Sequence, residues 1–302
     1  MATTHQQHCG RFAPSPTGEL HFGSLIAAVA SYLEARCNNG RWLLRMEDLD
    51  PPREQPGAAD DIIRTLDVFG FEWDGPIIYQ SQRLEAYQEA LDQLLGAGDA
   101  YHCACSRKEI AQEGSTGEEG PIYPGTCRKG IPAGREPRSI RVLTHNQKLG
   151  CKDRIQGALY QSLELEIGDF IIRRADGLFA YQLAVVVDDA WQGVNQVVRG
   201  ADLILSTPRQ LHLQSLLHYP APGYAHIPVV TDRSGNKLSK QAKARPVDRK
   251  QPLTTLLAAI HCLNQTQPEE EPATLEDFWH WAIKNWDINR IPQQQAIALT
   301  LR

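Results

Sequence analysis

Apolar residues recur three and four positions apart between Ser24 and Arg36, and this spacing is typical of a helix with a buried face. We predict that the helix begins near Gly23 and ends before Asn38. The residues that follow, WLLRMED, predict a buried strand. A strand followed by helices indicates a parallel layer, so the expected fold class is α/β.

The rest of the chain continues this alternation with one interruption. AADDIIRTLDVFGF and SQRLEAYQEALDQLLGAG predict helices, the second with Ser81 as its N-cap and Gly96 or Gly98 as its end. Glycines and prolines break any long helix or strand between Ser106 and Arg138, which indicates an insertion without its own core. After it, SIRVL, DFIIRR and LFAYQLAVVVDDA predict strands, whereas TPRQLHLQSLLHY, PLTTLLAAIHCLNQ and EDFWHWAIKNW predict helices.

Composition limits the class of protein. A chain of 302 residues with 42% hydrophobic content has room for a large domain and a smaller one. No stretch approaches the ~18 apolar residues of a membrane span, and no apolar signal segment precedes Arg11, so we expect a cytoplasmic protein. The formal charge of −5 argues against a uniformly basic surface but allows a local one. Seven scattered cysteines without a secretory signal argue against disulfides.

A first chemical motif, RFAPSPTG followed by ELHFGS, stands directly before the first predicted helix. Helix N-termini present unpaired N–H groups and partial positive charge, so the turn at Gly23 could receive a phosphate. His21 could add a directed hydrogen bond. Taken alone, a histidine before a helix is more often a cap or a packed ring.

A second motif, Lys237-Leu-Ser-Lys240, follows a turn-forming segment and precedes Gln241. Lysine side chains are compact cations suited to phosphate groups. An isolated KLSK is more often a solvated loop, so its position relative to the first motif decides its meaning.

A third group consists of Cys103, Cys105 and Cys127, which bracket the glycine-rich insertion. Three thiolates at this spacing suit tetrahedral zinc, although three cysteines can also be ordinary buried thiols. The spacing leaves the fourth ligand open. His102 would point away from its neighbours in an extended segment.

Together, the first two motifs resemble the HIGH and KMSKS signatures of class I aminoacyl-tRNA synthetases, and RFAPSPTG resembles the glutamyl and glutaminyl branch of that family. The resemblance extends through RMEDLDPPR, FAYQLAVVVDD and VVRGADLILSTPRQ, roughly from residue 10 to 245. It departs from the family pattern at Leu238 and Gln241, but both lysines are present.

The resemblance implies a Rossmann-like parallel sheet and a reaction in which the carboxylate of glutamate attacks the α-phosphate of ATP, with Mg²⁺. It implies catalytic roles for His21, Lys237 and Lys240. Implied ATP-binding residues are His21, Gly23, Ser24, Lys237, Leu238, Ser239 and Lys240. Implied glutamate-binding residues are Arg11, Phe12, Ala13, Pro14, Ser15, Glu47, Tyr181 and Arg199. The alternative is that Arg11 and Arg199 are surface cations and that Glu47 and Asp50 form a solvated acidic turn after the strand.

The same relatives imply one structural zinc ion held by Cys103, Cys105, Tyr123 and Cys127, with His102 or water as alternatives to Tyr123. The expected division is residues 1–100 and 166–245 for the two halves of the catalytic domain, 101–165 for the zinc-containing insertion, and 246–302 for a helical C-terminal region. Only about sixty residues follow Lys240, so no anticodon-binding domain is expected.

That length makes the resemblance closest to stand-alone paralogues of the catalytic core, which activate glutamate without tRNA and transfer it to queuosine in the anticodon of tRNA(Asp). Two alternatives are a minimal glutamyl-tRNA synthetase that charges tRNA(Glu) and an inactive nucleotide- and zinc-binding regulatory paralogue. A monomer is expected. Candidate RNA contacts are Lys237, Lys240, Lys243, Arg245, Arg249, Lys250, Arg135, Arg138 and Arg141.

Overall fold

The computed structural model describes residues 7–117, 119–231 and 246–298. Its strands are β1 (Cys9–Phe12), β2 (Arg41–Met46), β3 (Ile78–Tyr79), β4 (Ala100–Cys103), β5 (Thr116–Gly117), β6 (Gly120–Pro121), β7 (Ser139–Val142), β8 (Lys148–Asp153), β9 (Gly157–Ser162), β10 (Ile171–Arg173), β11 (Gln196–Gly200), β12 (Gly223–Ile227), β13 (Val229–Thr231) and β14 (Ala296–Ala298). Its α-helices are α1 (Phe22–Cys37), α2 (Ala58–Val68), α3 (Leu84–Ala97), α4 (Arg107–Glu113), α5 (Leu163–Glu166), α6 (Tyr181–Gln192), α7 (Thr207–Leu216), α8 (Pro252–Cys262) and α9 (Leu275–Asn285).

Parallel strands form the layer that carries the site. β2 pairs in parallel with β1 on one side and β3 on the other, and β11 pairs in parallel with β12. The two groups meet where the backbone N–H of Asn195 donates to the carbonyl oxygen of Cys9 at 3.0 Å. The prediction of an α/β fold with parallel strands is confirmed.

The first helix, α1, has the predicted bounds within a residue or two, with His21 as its N-cap and Asn38 as its C-cap. It is buried along most of its length because β1, β2 and β11 lie on one side and α8 and α9 on the other. Aromatic rings close this core: Tyr32 makes edge contacts with Trp42 and Trp279.

Antiparallel pairing marks the middle of the chain. β7 lies between β4 and β10, and β8–β9 and β5–β6 form hairpins. A buried carboxylate ties this region together, because Asp169 accepts hydrogen bonds from Arg128 Nε at 2.7 Å, from the Thr144 N–H at 2.8 Å and from the Tyr101 hydroxyl. The three predicted boundaries between the four segments stay predictions.

Two local predictions are wrong. Residues Tyr181–Gln192 form a helix, not a strand, and Gly193 ends it in a left-handed conformation with φ 70°. The β-branched run Val185–Val187 favours a strand, but burial on several faces of this helix overrides that preference. Ser81 does not cap α3; its hydroxyl donates to Asp48 Oδ2 at 2.6 Å instead, and the helix begins at Leu84.

The C-terminal region is helical over α8 and α9, as predicted, and its described part then ends in a strand that pairs with β13. β14 pairs in parallel with β13, which joins Ala296–Ala298 to Val229–Thr231. Among the described helices, none has the length and apolar character needed to cross a lipid bilayer.

Candidate active site

A cleft of about 760 Å³ gathers side chains from distant segments. Its walls come from the end of β1 and the loop after it, the start of α1, the residue after β2, the start of α6 and the end of β11. Every predicted glutamate- or ATP-binding residue in the described part of the chain lines this cleft. They are Arg11, Phe12, Ala13, Pro14, Ser15, His21, Gly23, Ser24, Glu47, Tyr181 and Arg199. The structure thus brings these residues together, whereas their individual roles stay predictions.

A buried charge network lies beneath one end of the cleft. Arg11 Nε lies 3.3 Å from Asp189 Oδ1. The fully buried Arg45 places Nη2 at 2.8 Å from the same oxygen and 3.3 Å from Glu47 Oε1. The backbone N–H of Glu47 donates to the Pro14 carbonyl oxygen at 2.9 Å, which joins the RMEDLDPPR segment to the RFAPSPTG motif.

The charges in this network are unequally compensated. Burial raises the pKa of Glu47, and Arg45 and Arg11 oppose the increase only in part. Burial also acts to raise the pKa of Asp189, but Arg11 and Arg45 outweigh it and hold the pKa below its usual value. A cation that enters the cleft therefore gains most by approaching Glu47.

Arg199 reaches the cleft from β11. Its Nη1 lies 3.5 Å from the hydroxyl oxygen of Tyr181, at the start of α6. Its Nη2 donates to Thr207 Oγ1 at 2.9 Å and is 3.4 Å from the Leu203 carbonyl oxygen. Burial raises the pKa of Tyr181, so its hydroxyl stays protonated near neutral pH. Together, these two side chains offer N–H and O–H donors to a bound anion.

His21 both caps α1 and lines the cleft. Its Nδ1 accepts the backbone N–H of Ser24 at 3.2 Å, and its Nε2 is 3.0 Å from Ser24 Oγ. The cap that sequence reasoning offered as an alternative is therefore present. A cap does not exclude a role toward a ligand, because the N-terminus of a long helix favours a nearby anion.

The second lysine motif falls within residues 232–245, outside the described residues. This applies to Lys237, Leu238, Ser239 and Lys240. Shortly before this segment, Val230 lines the cleft, and directly after it, Pro246 forms an isolated β-bridge with His21, which lines the cleft. The Val247 N–H donates to the Leu20 carbonyl oxygen at 3.0 Å, which fixes the point where the described chain resumes.

The three predicted cysteine ligands form one buried cluster, with all ligand atoms within 4.8 Å of one another. Cys105 Sγ is 3.7 Å from Cys127 Sγ, and the Tyr123 hydroxyl oxygen is 3.4 Å from Cys103 Sγ and 3.8 Å from Cys105 Sγ. Sulfur and oxygen ligands at roughly 2.0–2.3 Å from a tetrahedral zinc ion lie about 3.5–3.8 Å apart. The four donor atoms therefore fit zinc, whereas His102 is exposed.

Positive charge also faces this cluster. Burial acts to raise the pKa of the Cys103 thiol, but hydrogen bonds with Tyr123, the Cys105 backbone and Arg141 outweigh it and bring the pKa to about 7. Arg141 is buried, donates from Nε to Cys103 Sγ at 3.4 Å, and places its guanidinium carbon 3.9 Å from the centre of the Tyr123 ring. The prediction that Arg141 is an RNA contact is wrong, because β7 is a buried strand.

The other described RNA-contact candidates differ in exposure. Arg138 and Lys250 are exposed. Arg135 pairs with Glu109 at 2.9 Å, and Arg249 pairs with Asp61. Lys243 and Arg245, like Lys237 and Lys240, lie outside the described residues. These assignments stay predictions.

The sequence patterns did not identify the buried residues that contact and position the cleft-lining side chains. Arg45 and the adjacent pair Asp188 and Asp189 are all buried. Asp188 accepts hydrogen bonds from Gln80 Nε2 and the Tyr87 hydroxyl, both at 2.8 Å. The signal was an arginine inside WLLRMED and two carboxylates inside AVVVDDA, since charges in apolar runs need buried partners.

Comparisons with known proteins agree with this geometry. The family model for tRNA synthetases class I (E and Q), catalytic domain, matches residues 9–254. The chain is 56% identical over 293 residues to a glutamyl-Q tRNA(Asp) synthetase of Dechloromonas aromatica, which covers 96% of this chain and 97% of the relative. It is 54% identical over 283 residues to the protein of the same name from Chromobacterium violaceum, covering 94% and 95%.

A solved structure shows the same fold. The glutamate-tRNA synthetase of Elizabethkingia anophelis superposes with a TM-score of 0.82 at 22% sequence identity. The match covers 98% of this chain and 68% of that chain. At this level of identity the likeness concerns the fold alone.

Proposed function

Because the chain belongs to the family of class I tRNA synthetases for glutamate and glutamine, and is an ATP-dependent ligase, we propose that it activates L-glutamate with ATP in the absence of tRNA. The product would be glutamyl-adenylate. The glutamyl group would then pass to queuosine at the wobble position of tRNA(Asp), giving glutamyl-queuosine. The names of the two relatives, glutamyl-Q tRNA(Asp) synthetases, support this choice of acceptor.

The observation that carries the proposal is the arrangement of charges in the cleft. Arg11 and Arg199 line it together with the carboxylate of Glu47. Free glutamate carries two carboxylates and one ammonium group, which matches two cations and one anion. The ammonium would lie near Glu47, whose charge the network compensates least.

The same geometry favours glutamate over glutamine. Arginine donates N–H groups and has no acceptor, so a carboxylate uses its donors fully. The amide of glutamine would turn an NH₂ group toward at least one of these donors and leave it unpaired in a buried place. The Tyr181 hydroxyl lies 3.5 Å from Arg199 Nη1. It can therefore donate to the same substrate carboxylate oxygen that Arg199 contacts.

ATP would occupy the part of the cleft beside α1. The N-terminus of this helix, with His21, Gly23 and Ser24, would receive a phosphate group, and Mg²⁺ would accompany the nucleotide. Val230, shortly before the lysine segment, lines the cleft, and Pro246, directly after that segment, pairs with His21 in the cleft wall. This placement supports charge stabilisation by Lys237 and Lys240 as pyrophosphate leaves.

We propose a structural zinc ion in the insertion. Cys103, Cys105, Cys127 and Tyr123 would fill a four-coordinate site, which leaves no open position for substrate. Zinc would order the segment that the glycines and prolines prevent from forming a core. Its role is therefore separate from the chemistry in the cleft.

The proposed acceptor enters the cleft as an anticodon loop, in a monomeric cytoplasmic enzyme that meets ATP and tRNA in solution. Exposed cations such as Arg138 and Lys250 would contact phosphates. Such contacts would make transfer depend strongly on salt, whereas recognition of the modified base needs hydrogen bonds and shape.

One two-step experiment tests the proposal. Glutamate-dependent exchange of pyrophosphate into ATP is measured without RNA, with glutamine as the comparison. Transfer of labelled glutamate is then measured to tRNA(Asp) with and without queuosine and to tRNA(Glu). We expect exchange with glutamate but not with glutamine, and transfer only to the tRNA(Asp) that contains queuosine.

A matched pair of variants links the result to the cleft. Arg199→Lys keeps the charge but loses the fork of donors, and it should reduce exchange roughly 100-fold. Arg138→Lys makes the same change at an exposed position and should leave exchange unaltered. Absence of exchange in the wild type would support an inactive paralogue, and charging of tRNA(Glu) would support a minimal glutamyl-tRNA synthetase.

A further inference from the structure

Two fully buried side chains outside the cleft lining hold Arg199. Arg199 Nε donates to His226 Nε2 at 3.0 Å. On the other side of the ring, His226 Nδ1 is 2.7 Å from Asp153 Oδ2, and both side chains are inaccessible to solvent. The residues form a line that runs from the β8–β9 hairpin through β12 to the cleft.

The chemistry of the three groups fixes the proton on the ring. An arginine N–H can only donate, so His226 Nε2 must accept. The hydroxyl of Thr207, 3.3 Å from the same nitrogen, can donate to it as well. The ring proton therefore resides on Nδ1 and is donated to Asp153. Burial lowers the pKa of His226 despite the opposing effect of Asp153, which agrees with a neutral ring.

Asp153 is itself fixed by the backbone. Its Oδ1 accepts N–H groups from Ile155 at 2.9 Å, Gln156 at 2.8 Å and His226 at 3.1 Å. Both carboxylate oxygens therefore make hydrogen bonds, and the carboxylate group cannot rotate without loss of a buried hydrogen bond. The carboxylate is a rigid support for the imidazole ring.

Arg199 is consequently held at two of its three nitrogens. Nε donates to His226, and Nη2 donates to Thr207 at 2.9 Å. Nη1 is directed to Tyr181, which lines the cleft with it. Such a guanidinium cannot swing to meet alternative ligands, so its position is set before a ligand arrives.

From this arrangement we infer that Asp153 and His226 are positioning residues that orient Arg199 toward the carboxylate of the amino-acid substrate. The inference rests on the proposed function, because it names the group that Arg199 receives. Asp153 and His226 touch no substrate and act only through Arg199. Their removal should weaken glutamate binding and leave ATP binding unchanged.

The sharpest test replaces one carboxylate oxygen of Asp153 with an amide nitrogen. In Asp153→Asn the amide oxygen can still accept the backbone N–H groups at Oδ1, so the NH₂ group faces His226 Nδ1. That nitrogen must then accept, the ring proton moves to Nε2, and Nε2–H opposes the N–H of Arg199. We expect the KM for glutamate in the exchange reaction to rise about 10-fold, with the KM for ATP unchanged.

The ring proton can be observed directly. In protein labelled with ¹⁵N-histidine, the nitrogen chemical shifts distinguish a protonated from an unprotonated Nε2, and the signals of His226 are identified by their loss in His226→Gln. Wild type should show an unprotonated Nε2 and Asp153→Asn a protonated one. A changed proton position with an unchanged KM for glutamate would overturn the inference.

Two amides replace the ring as a second test. Glutamine at position 226 can place its oxygen near the former Nε2 and still accept from Arg199, whereas asparagine can reach only Asp153. We expect His226→Asn to raise the KM for glutamate more than His226→Gln. The reverse order would show that the ring serves Asp153 alone and would contradict the inference.

His212 supplies the matched control, since it is also buried but its Nε2 lies 2.8 Å from the Leu143 carbonyl oxygen instead of facing Arg199. His212→Gln should lower stability without changing the KM for glutamate. If the wild type itself shows no glutamate-dependent exchange, the proposed function fails. If the wild type is active and both Asp153→Asn and His226→Asn bind glutamate normally, only the present inference fails.

Discussion

Arg45 Nη2 lies 2.8 Å from Asp189 Oδ1, and the two side chains are 0% and 7% exposed. Asp189 also receives Arg11, which lines the cleft, so the buried pair determines where a predicted substrate-binding cation lies. Burial acts to lower the pKa of Arg45, but Asp189, Glu47 and Asp188 together raise it. The arginine thus stays charged in a place that no water reaches.

Arg45→Lys should both destabilise the protein and reduce activation. An ammonium group cannot bridge Asp189 and Glu47 as the guanidinium fork does, so buried charge is left poorly paired. We expect a loss on the order of 3 kcal/mol in the free energy of unfolding, measured by urea denaturation. Arg41→Lys, on the exposed end of the same strand, is the control and should change neither quantity.

Glu47→Gln should abolish glutamate-dependent exchange while improving stability at neutral pH. Because burial raises the folded-state pKa of Glu47, the folded chain binds more protons than the unfolded one between the two pKa values. Stability therefore falls as pH rises from the unfolded value of 4.5 through the folded pKa. The glutamine variant lacks this decrease.

Urea midpoints of both proteins across this pH range measure the effect. The difference should move in favour of Glu47→Gln as pH rises. In the wild type, the KM for glutamate should increase at low pH, because protonated Glu47 no longer attracts the ammonium group. A pH-independent difference in stability would contradict the assigned burial effect.

Asp169→Asn should loosen the insertion. Burial acts to raise the pKa of Asp169, but Arg128, Tyr101 and Thr144 outweigh it and lower the pKa. Its stabilising contribution is present above the unfolded value of 3.8 and is lost as pH falls through the lower folded value. We expect the variant to lose on the order of 2–4 kcal/mol at neutral pH, by urea denaturation.

The control for this change is Asp176→Asn, since Asp176 pairs with Arg174 at the surface. It should have little effect on the urea midpoint. Equal midpoints for Asp169→Asn and the wild type would show that the buried hydrogen bonds of Asp169 do not hold the insertion.

Cys105→Ser should remove the zinc ion. The wild type should contain about one zinc per chain by elemental analysis, and the variant should contain little. Cys151→Ser is the matched control, because Cys151 lies outside the cysteine cluster. Full zinc content in Cys105→Ser would contradict the proposed ligand set.

The helix from Phe22 to Cys37 could be predicted because its apolar spacing, its cap and its end all agree. The helix from Tyr181 to Gln192 could not, because a run of valines carries the same local signal as a buried strand and only packing distinguishes the two. Gly193 was the overlooked local sign, since glycine commonly ends a helix in the left-handed conformation.

The residues of the cleft also divide into those that the sequence could predict and those that it could not. Arg11, Glu47 and Arg199 could be predicted because they stand in motifs that carry a family resemblance. The buried partners Arg45, Asp153 and His226 could not, because their meaning depends on contacts across large sequence separations, such as the separation of 73 positions from Asp153 to His226. Local patterns identify the residues that face a ligand more readily than the buried residues that position them.

The parallel pairing of Ala296–Ala298 with Val229–Thr231 has a practical consequence. Val229 and Val230 form part of the cleft wall, so the last described strand supports that wall from its outer edge. Affinity tags fused after this strand, or protease trimming during purification, would act on the wall itself. Preparations that differ only in their C-terminal residues are therefore different samples for kinetic work.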